Sequence, residues 1–215
     1  MTQDARIILR LLKAVISVHK YPRFLMDVYV NLMLQRIWRF QGFVLCNSIS
    51  WKGKPILSKV NGSSITIGEG CMICSRSSET ALGVNHPVIL RTLRPNAKLH
   101  IGSGVRMSGT TVCVAECVTI GDRCVIGSNV TITDTDFHSL DPICRSSKND
   151  DQFTRHSPVL IGNDVFIGCN SMILKGIRIG NGAVIGAGSI VTRSVPERVV
   201  FAGNPAHHIT EVPDS

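Results

Sequence analysis

From Ile161 to Pro196 the chain repeats itself every six residues, reading IGNDVF, IGCNSM, ILKGIR, IGNGAV, IGAGSI and VTRSVP. The first place of each hexad is Ile or Val (161, 167, 173, 179, 185, 191), and Gly follows it in four of the six. The fifth place holds Val165, Ser171, Ile177, Ala183, Ser189 and Val195. A period of six matches neither the 3.6-residue turn of a helix nor the two-residue alternation of an ordinary strand. It suits a short strand and a corner, three to a coil, with the aliphatic side chain turned inward and a smaller one closing the turn. Such hexads mark a parallel β-helix, a quasi-one-dimensional solenoid. The Gly after the aliphatic is expected at a tight corner, where a missing Cβ opens backbone angles that other residues avoid.

The same spacing continues upstream through Ile120-Gly121, Ile126-Gly127 and Ile132, with Cys124 and Val130 in the small place. Earlier hexads are looser: Ile65-Thr66-Ile67-Gly68 with Cys71, then Leu93, Leu99 or Ile101, and Met107. Seven residues separate Met107 from Val114, which reads as one extra residue in the period. From about Thr133 to Pro158 the pattern stops. That stretch is polar, charged and dotted with Pro, and it reads as a loop thrown out of the solenoid (133–158) carrying His138 and His156. Long loops on a rigid scaffold are where chemistry concentrates.

Charge divides the chain. Up to Lys54, nine Lys and Arg face only Asp4 and Asp27, so nearly all of the net charge of +8 belongs to the N-terminal quarter. Arg6 to Lys20 puts Ile7, Ile8, Leu11, Leu12, Val15 and Ile16 on one helical face, and Tyr21-Pro22 ends that helix. Phe24 to Phe40 reads as a second amphipathic helix with Asp27, Asn31, Gln35, Arg36 and Arg39 as a polar stripe. So many polar interruptions make a poor membrane span. Residues 1–47 are therefore expected as a basic amphipathic helical segment, either capping the open end of the solenoid or lying on an anionic membrane through residues 1–40. The β-helix domain is expected over 48–210, with 211–215 as a tail. Nucleic acid is not an expected partner, because the basic residues alternate with aliphatics rather than exposed aromatics. Cys113 and Cys117 stand four apart, but the eight cysteines are read as reduced packing residues of a cytosolic protein, with Cys71 and Cys124 in the small inward place. No small-residue cleavage site follows the first apolar stretch, so no cleavable leader is expected.

The hexads, the segment TDTDFHSLDP and the tail FAGNPAHHI together resemble the left-handed β-helix acyltransferases of the maltose, galactoside and xenobiotic O-acetyltransferase type, including those that modify surface polysaccharides. The resemblance spans roughly residues 60 to 210. It implies a mainly β, left-handed parallel β-helix, a homotrimer, and acetyl-CoA and acceptor bound between neighbouring solenoids, with no metal required. It also implies an acetyl-CoA-dependent transfer to a sugar or glycan-precursor hydroxyl, and the basic amphipathic N-terminus favours a precursor at the inner face of a cytoplasmic membrane. His138 matches the family's general base, a task that suits a neutral imidazole at pH 7. The acetyl group would then pass directly from CoA to acceptor. Asp136 and Asp134 are candidates to orient the ring or hold the acceptor, and His156 to act structurally or near it. Cys169 and Ala187 match residues along the pantetheine arm, and Thr192, Arg193 and His207 match the nucleotide end, where guanidinium pairs with phosphate. His19, His86 and His100 carry no motif.

Two departures stand out. Some relatives place an Asn near the thioester where this chain has Gly109, and Phe166 stands where a Trp is usual. Three alternatives remain open: N-acetylation of an amino sugar with the same parts, a metal-dependent β-helix resembling the γ-type carbonic anhydrases, and a non-catalytic structural trimer. The carbonic anhydrase type needs three converging imidazoles, and the hexads contain no His pair. Serine acetyltransfer fits less well, since the N-terminal quarter is too short for the helical domain such enzymes carry.

Overall fold

A computed structural model describes Tyr29 and residues 33–214; the expected helix over 6–20 and most of the one over 24–40 lie outside the described residues. The rest is a left-handed parallel β-helix of six coils, each giving one strand to each of three sheets. The first face stacks Val44–Leu45, Ser64–Ile67, Lys98–Ile101, Cys117–Ile120, Val159–Ile161 and Arg178–Ile179. The second stacks Ser50–Lys52, Met72–Cys74, Arg106–Ser108, Val125–Ser128, Phe166–Ile167 and Val184–Ile185, then continues into Val199–Gly203. The third runs from Ile56–Ser58 through Ile89–Thr92, Thr111–Val114, Thr131–Thr133 and Met172–Ile173 to Ile190–Val191. An antiparallel strand, Ala206–Glu211, folds back on Val199–Gly203. The first coil opens at Val44, ahead of residue 48.

Each two-residue strand points one side chain out and one in, as at Phe166 (exposed) and Ile167 (buried). The first-place residues Ile161, Ile167 and Ile173 thus meet on the axis, and the fifth-place Val165, Ser171 and Ile177 close the corners, all buried. Cys71 and Cys124 fill the same inner places, and burial pushes both thiols up, Cys124 to about 11. They pack as small apolar groups and stay un-ionised at neutral pH.

The corner chemistry differs from the expectation. The left-handed backbone angle falls on the fourth place, at Asp164 (φ 58), Asn170 (59), Gly176 (74), Gly182 (63) and Gly188 (68). Asn, Asp and Gly tolerate that region best. The second-place glycines answer to stacking instead: a Cβ on Gly127 would lie 2.6 Å from the Cys169 amide nitrogen of the next coil. Their missing side chain lets one coil settle on another.

Two other readings are corrected. Val112, not Val114, is the counterpart of Ile132, so the corner after Met107 is one residue shorter than its neighbour rather than longer. Leu93 lies past the end of its strand and is only half-buried, while Leu90 and Thr92 point inward. The looseness there comes from a second excursion, residues 75–88, which leaves the corner between second and third faces and includes a single 3₁₀ turn, Ser77–Glu79.

Helix α1, Gln35–Phe40, lies across the first coil. Leu34 and Trp38 are buried there, with the Trp38 ring 5.2 Å from that of Trp51. The expected polar stripe is partly turned inward. Gln35 Nε2 donates to the Cys46 carbonyl (2.6 Å) and Arg39 Nε to that of Leu45 (2.8 Å), while Met33, Ile37 and Phe40 face outward. Among the described residues no helix is long and apolar enough to cross a membrane.

Candidate active site

The large excursion leaves the solenoid between third-face strand Thr131–Thr133 and first-face strand Val159–Ile161. Its root is pinned by Asp134, fully buried, whose carboxylate accepts the backbone N–H groups of Ala115, Glu116 and Cys117 at 2.6, 2.7 and 2.7 Å. Above it the two arms pair briefly: Asp136 N donates to the Arg155 carbonyl and Ser157 N to that of Asp134, with a bridge between Thr135 and His156. Beyond this neck two short helices follow, α2 (Pro142–Arg145), capped by the Asp141 carboxylate, and α3 (Asp150–Phe153).

Phe137 holds a left-handed backbone (φ 63) just before His138. That conformation is uncommon for an aromatic residue and belongs where surroundings over-determine it. It turns the chain so that His138 Nδ1 meets Asp150 Oδ2 at 2.7 Å, while Asp150 Oδ1 accepts the Ser139 N–H at 2.7 Å. The Ser139 amide first, and His138 second, hold the Asp150 carboxyl below its usual range. An acceptor-only carboxylate fixes the tautomer: Nδ1 carries the proton and Nε2 keeps its lone pair. The ring is 70% exposed.

Asp136 does not orient this ring. Its Oδ1 pairs with Lys175 Nζ at 2.6 Å, and its Oδ2 is buried with no hydrogen-bond partner among the described residues. Asp134 does not orient it either, being engaged by the neck. The ring's partner, Asp150, was not singled out by motif reasoning. A second imidazole–carboxylate pair lies near the neck, where His156 Nδ1 meets Glu116 Oε2 at 2.8 Å beside a hollow of 270 Å³ that includes Arg94.

Cys169 and Ala187 come together. Both line a groove of 580 Å³ along the second face and its corner with the third, roofed by Thr80, Ala81 and Leu82 of the smaller excursion. Thr192 and Arg193, just past Ile190–Val191, and His207 on the terminal hairpin are exposed at the late-coil end of the solenoid. His138 is not part of the groove wall. The groove follows the corner between second and third faces, whereas His138 rises from the corner between third and first. Gly109 sits under the roof with a left-handed backbone (φ 53), and a Cβ there would lie 2.7 Å from Val84 Cβ. Phe166 is exposed on the groove floor.

A family model described as bacterial transferase hexapeptide (six repeats) matches residues 158–193, and one described as hexapeptide repeat of succinyl-transferase matches 101–134. The chain is 30% identical over 185 residues to the galactoside O-acetyltransferase of Lactococcus lactis subsp. lactis, covering 84% of this chain and 82% of that one. Its likeness to the galactoside O-acetyltransferase of Escherichia coli (strain K12) is 40% over 119 residues, 55% of this chain, and spans only 56% of that enzyme's length. Among solved structures it is similar to an N-acyltransferase from Bacillus cereus, AntD, in complex with dTDP-4-amino-4,6-dideoxyglucose and coenzyme A (TM-score 0.58, 20% identity, 84% of this chain and 90% of that chain). It is also similar to a galactoside acetyltransferase in complex with coenzyme A (TM-score 0.51, 24% identity, 90% and 80% covered). At these identities the structural likeness is one of fold.

Proposed function

Since the chain belongs to the hexapeptide-repeat acetyltransferase family, we propose that it transfers an acetyl group from acetyl-CoA to a hydroxyl of a sugar or glycan precursor, with His138 as the general base. The observation that carries this reading is the state of His138. Asp150 holds its Nδ1–H, leaving Nε2 as an open acceptor on a projecting loop. In the transfer, the acceptor oxygen attacks the thioester carbonyl as its proton passes to Nε2. The tetrahedral intermediate then collapses, the C–S bond breaks, and the imidazolium returns the proton to the departing thiolate. No serine or cysteine nucleophile takes part. Gly109 cannot polarise the carbonyl with its own amide, which already donates to the Cys74 carbonyl at 2.9 Å.

The pantetheine arm runs along Cys169 and Ala187, and the phosphates lie toward Thr192, Arg193 and His207. Groove and imidazole rise from different corners, so a complete site needs the groove of one protomer and the His138 loop of another. This supports a homotrimer.

The test is calorimetric titration with acetyl-CoA, followed by an acceptor screen scored by CoA release, amino sugars included. We expect one site per subunit in both the unchanged protein and His138→Ala, with transfer in the variant down by roughly 10²–10⁴-fold. Failure of either protein to bind sinks the reading.

The outward Met33, Ile37 and Phe40, the last 94% exposed, stand beside Arg36 in the most basic quarter of the chain. They support a peripheral contact with the anionic inner face of the cytoplasmic membrane. The full chain is expected to sediment with anionic vesicles, to be released by high salt, and to bind less after Phe40→Asp. Equal sedimentation with zwitterionic vesicles would remove the electrostatic part of this proposal.

A further inference from the structure

Asp150 can hold the His138 ring only if something holds Asp150. It begins α3, a single turn (Asp150–Phe153) whose N-cap residue Asn149 makes no side-chain capping bond. So short a turn does not stand alone in water, because ordering its residues costs more than its few bonds return. Its nearest ties are local: Gln152 N donates to the Asn149 carbonyl at 2.9 Å and Thr154 Oγ1 to that of Asp150 at 3.0 Å. They shape the turn without fixing it to the solenoid.

Arg94 supplies that fixing. Its Nη2 donates to the Asp151 carbonyl and, at 2.7 Å, to Asp151 Oδ1. Among the described residues, these are the hydrogen bonds that reach residues 137–153 from the solenoid. Arg94 stands on firm ground. It follows Ile89–Thr92 at the corner between third and first faces, where Leu93 N donates to the Val114 carbonyl at 2.7 Å and the Arg94 carbonyl accepts the Ala97 N–H at 3.3 Å. The excursion leaves the same corner two coils later. It must therefore fold back over about 10 Å of stacked coil to bring Asp151 to the guanidinium. The Arg94 side chain is 24% exposed and that of Asp151 82% exposed. An ion pair to so open a carboxylate is worth little by itself. The bond to the carbonyl does more, because it fixes where the main chain of the turn lies, and Asp150 is the adjoining residue.

We propose that Arg94 is a positioning residue for the His138–Asp150 pair, clamping α3 to the solenoid so that the Asp150 carboxylate meets Nδ1. It is not part of the groove wall and works through the turn. The catalytic purpose of the clamp rests on the reading of His138 as the base.

The test is nuclear magnetic resonance of the full-length protein, isotopically labelled at the histidine nitrogens, at about pH 8.5, where imidazoles are neutral. The His138 signals are assigned by their loss in His138→Ala. The unchanged protein should show Nδ1 as the protonated nitrogen. In Arg94→Ala the two His138 nitrogens should converge, as in a ring that exchanges between tautomers, while those of His86 and His100 stay in place. Arg94→Met, which keeps the packing of the stem but has no donor, should do the same, and Arg94→Lys should restore most of the original pattern. Added to Asp150→Ala, Arg94→Ala should shift the signals no further. With the acceptor found by CoA release, kcat in Arg94→Ala should fall about tenfold or more while acetyl-CoA affinity holds. An unmoved His138 pattern in Arg94→Ala and Arg94→Met overturns the inference, as does a further shift of equal size in the Asp150→Ala background. If His138→Ala keeps full transfer, the base reading itself falls, and Arg94 loses its catalytic purpose whatever the ring signals show.

Discussion

At the scale of single residues, the proposed site turns on one proton. With both Asp150 oxygens engaged, the carboxylate stays ionised and keeps the His138 proton on Nδ1. Asp150→Asn can offer an N–H to Nδ1 and so favour the opposite tautomer, with the proton on Nε2 where it is useless to a base. Transfer should fall on the order of 10²-fold or more while thioester binding persists, and single-turnover kinetics beside calorimetry would check both halves. Asp136→Asn, which weakens only the pair with Lys175, should leave the proton transfer far less affected. Because the native Asp150 pKa is lowered, its contribution to stability is complete above the ordinary Asp value of about 3.9. It is lost as pH falls through the lower native value. Denaturation of the unchanged protein and Asp150→Asn between about pH 6 and pH 2 should therefore converge only at the acid end. His138 could be singled out as a candidate because a motif surrounds it. Asp150 was not, because the two are twelve positions apart in an aperiodic segment. Their meeting depends on a left-handed Phe137 and a helix cap at Asp141, neither of which leaves a period to count.

At the scale of the coil, the sequence carried the inward residues well from Ile120 onward, where each strand spends the same six residues. It misassigned the glycines, because a hexad does not say whether Gly is wanted for its backbone angle or for its missing side chain. Stability measurements separate the two demands. Gly182→Ala meets only the left-handed angle, with Arg198 Cγ at 3.5 Å as its nearest new neighbour. It should cost about 1–2 kcal/mol. Gly127→Ala drives a methyl into the backbone of the next coil, so two coils must part; it should cost more, about 3 kcal/mol or above. Equal losses in urea denaturation would contradict that division. Leu93 and the short corner after Met107 were misread for a related reason. The 75–88 excursion breaks the count ahead of Leu93, the short corner breaks it again after Met107, and only strand pairing (Leu90 with Val112, Val112 with Ile132) restores it.

At the scale of the whole molecule, the fold separates the groove and the His138 loop, the two proposed parts of the site, by a full face of the prism. His138→Ala and Cys169→Trp should each be inactive alone, the first lacking a base and the second an open groove. Mixed by unfolding and refolding together, they should recover about a quarter of the activity, since one subunit then supplies an intact loop to another's intact groove. No recovery in verified mixed assemblies would mean that loop and groove serve each other within one chain. The fold-back of Ala206–Glu211 on Val199–Gly203 has its own consequence. A stack of identical coils is a template that the edge of another molecule could extend, rung upon rung. Here the last described strand of the second sheet runs backwards and carries His207, His208, Thr210 and Glu211 outward. A newcomer would not find there the direction a further coil needs. The reversed strand thus does for a linear polymer what a chain terminator does: it makes the number of rungs a property of the molecule rather than of its concentration.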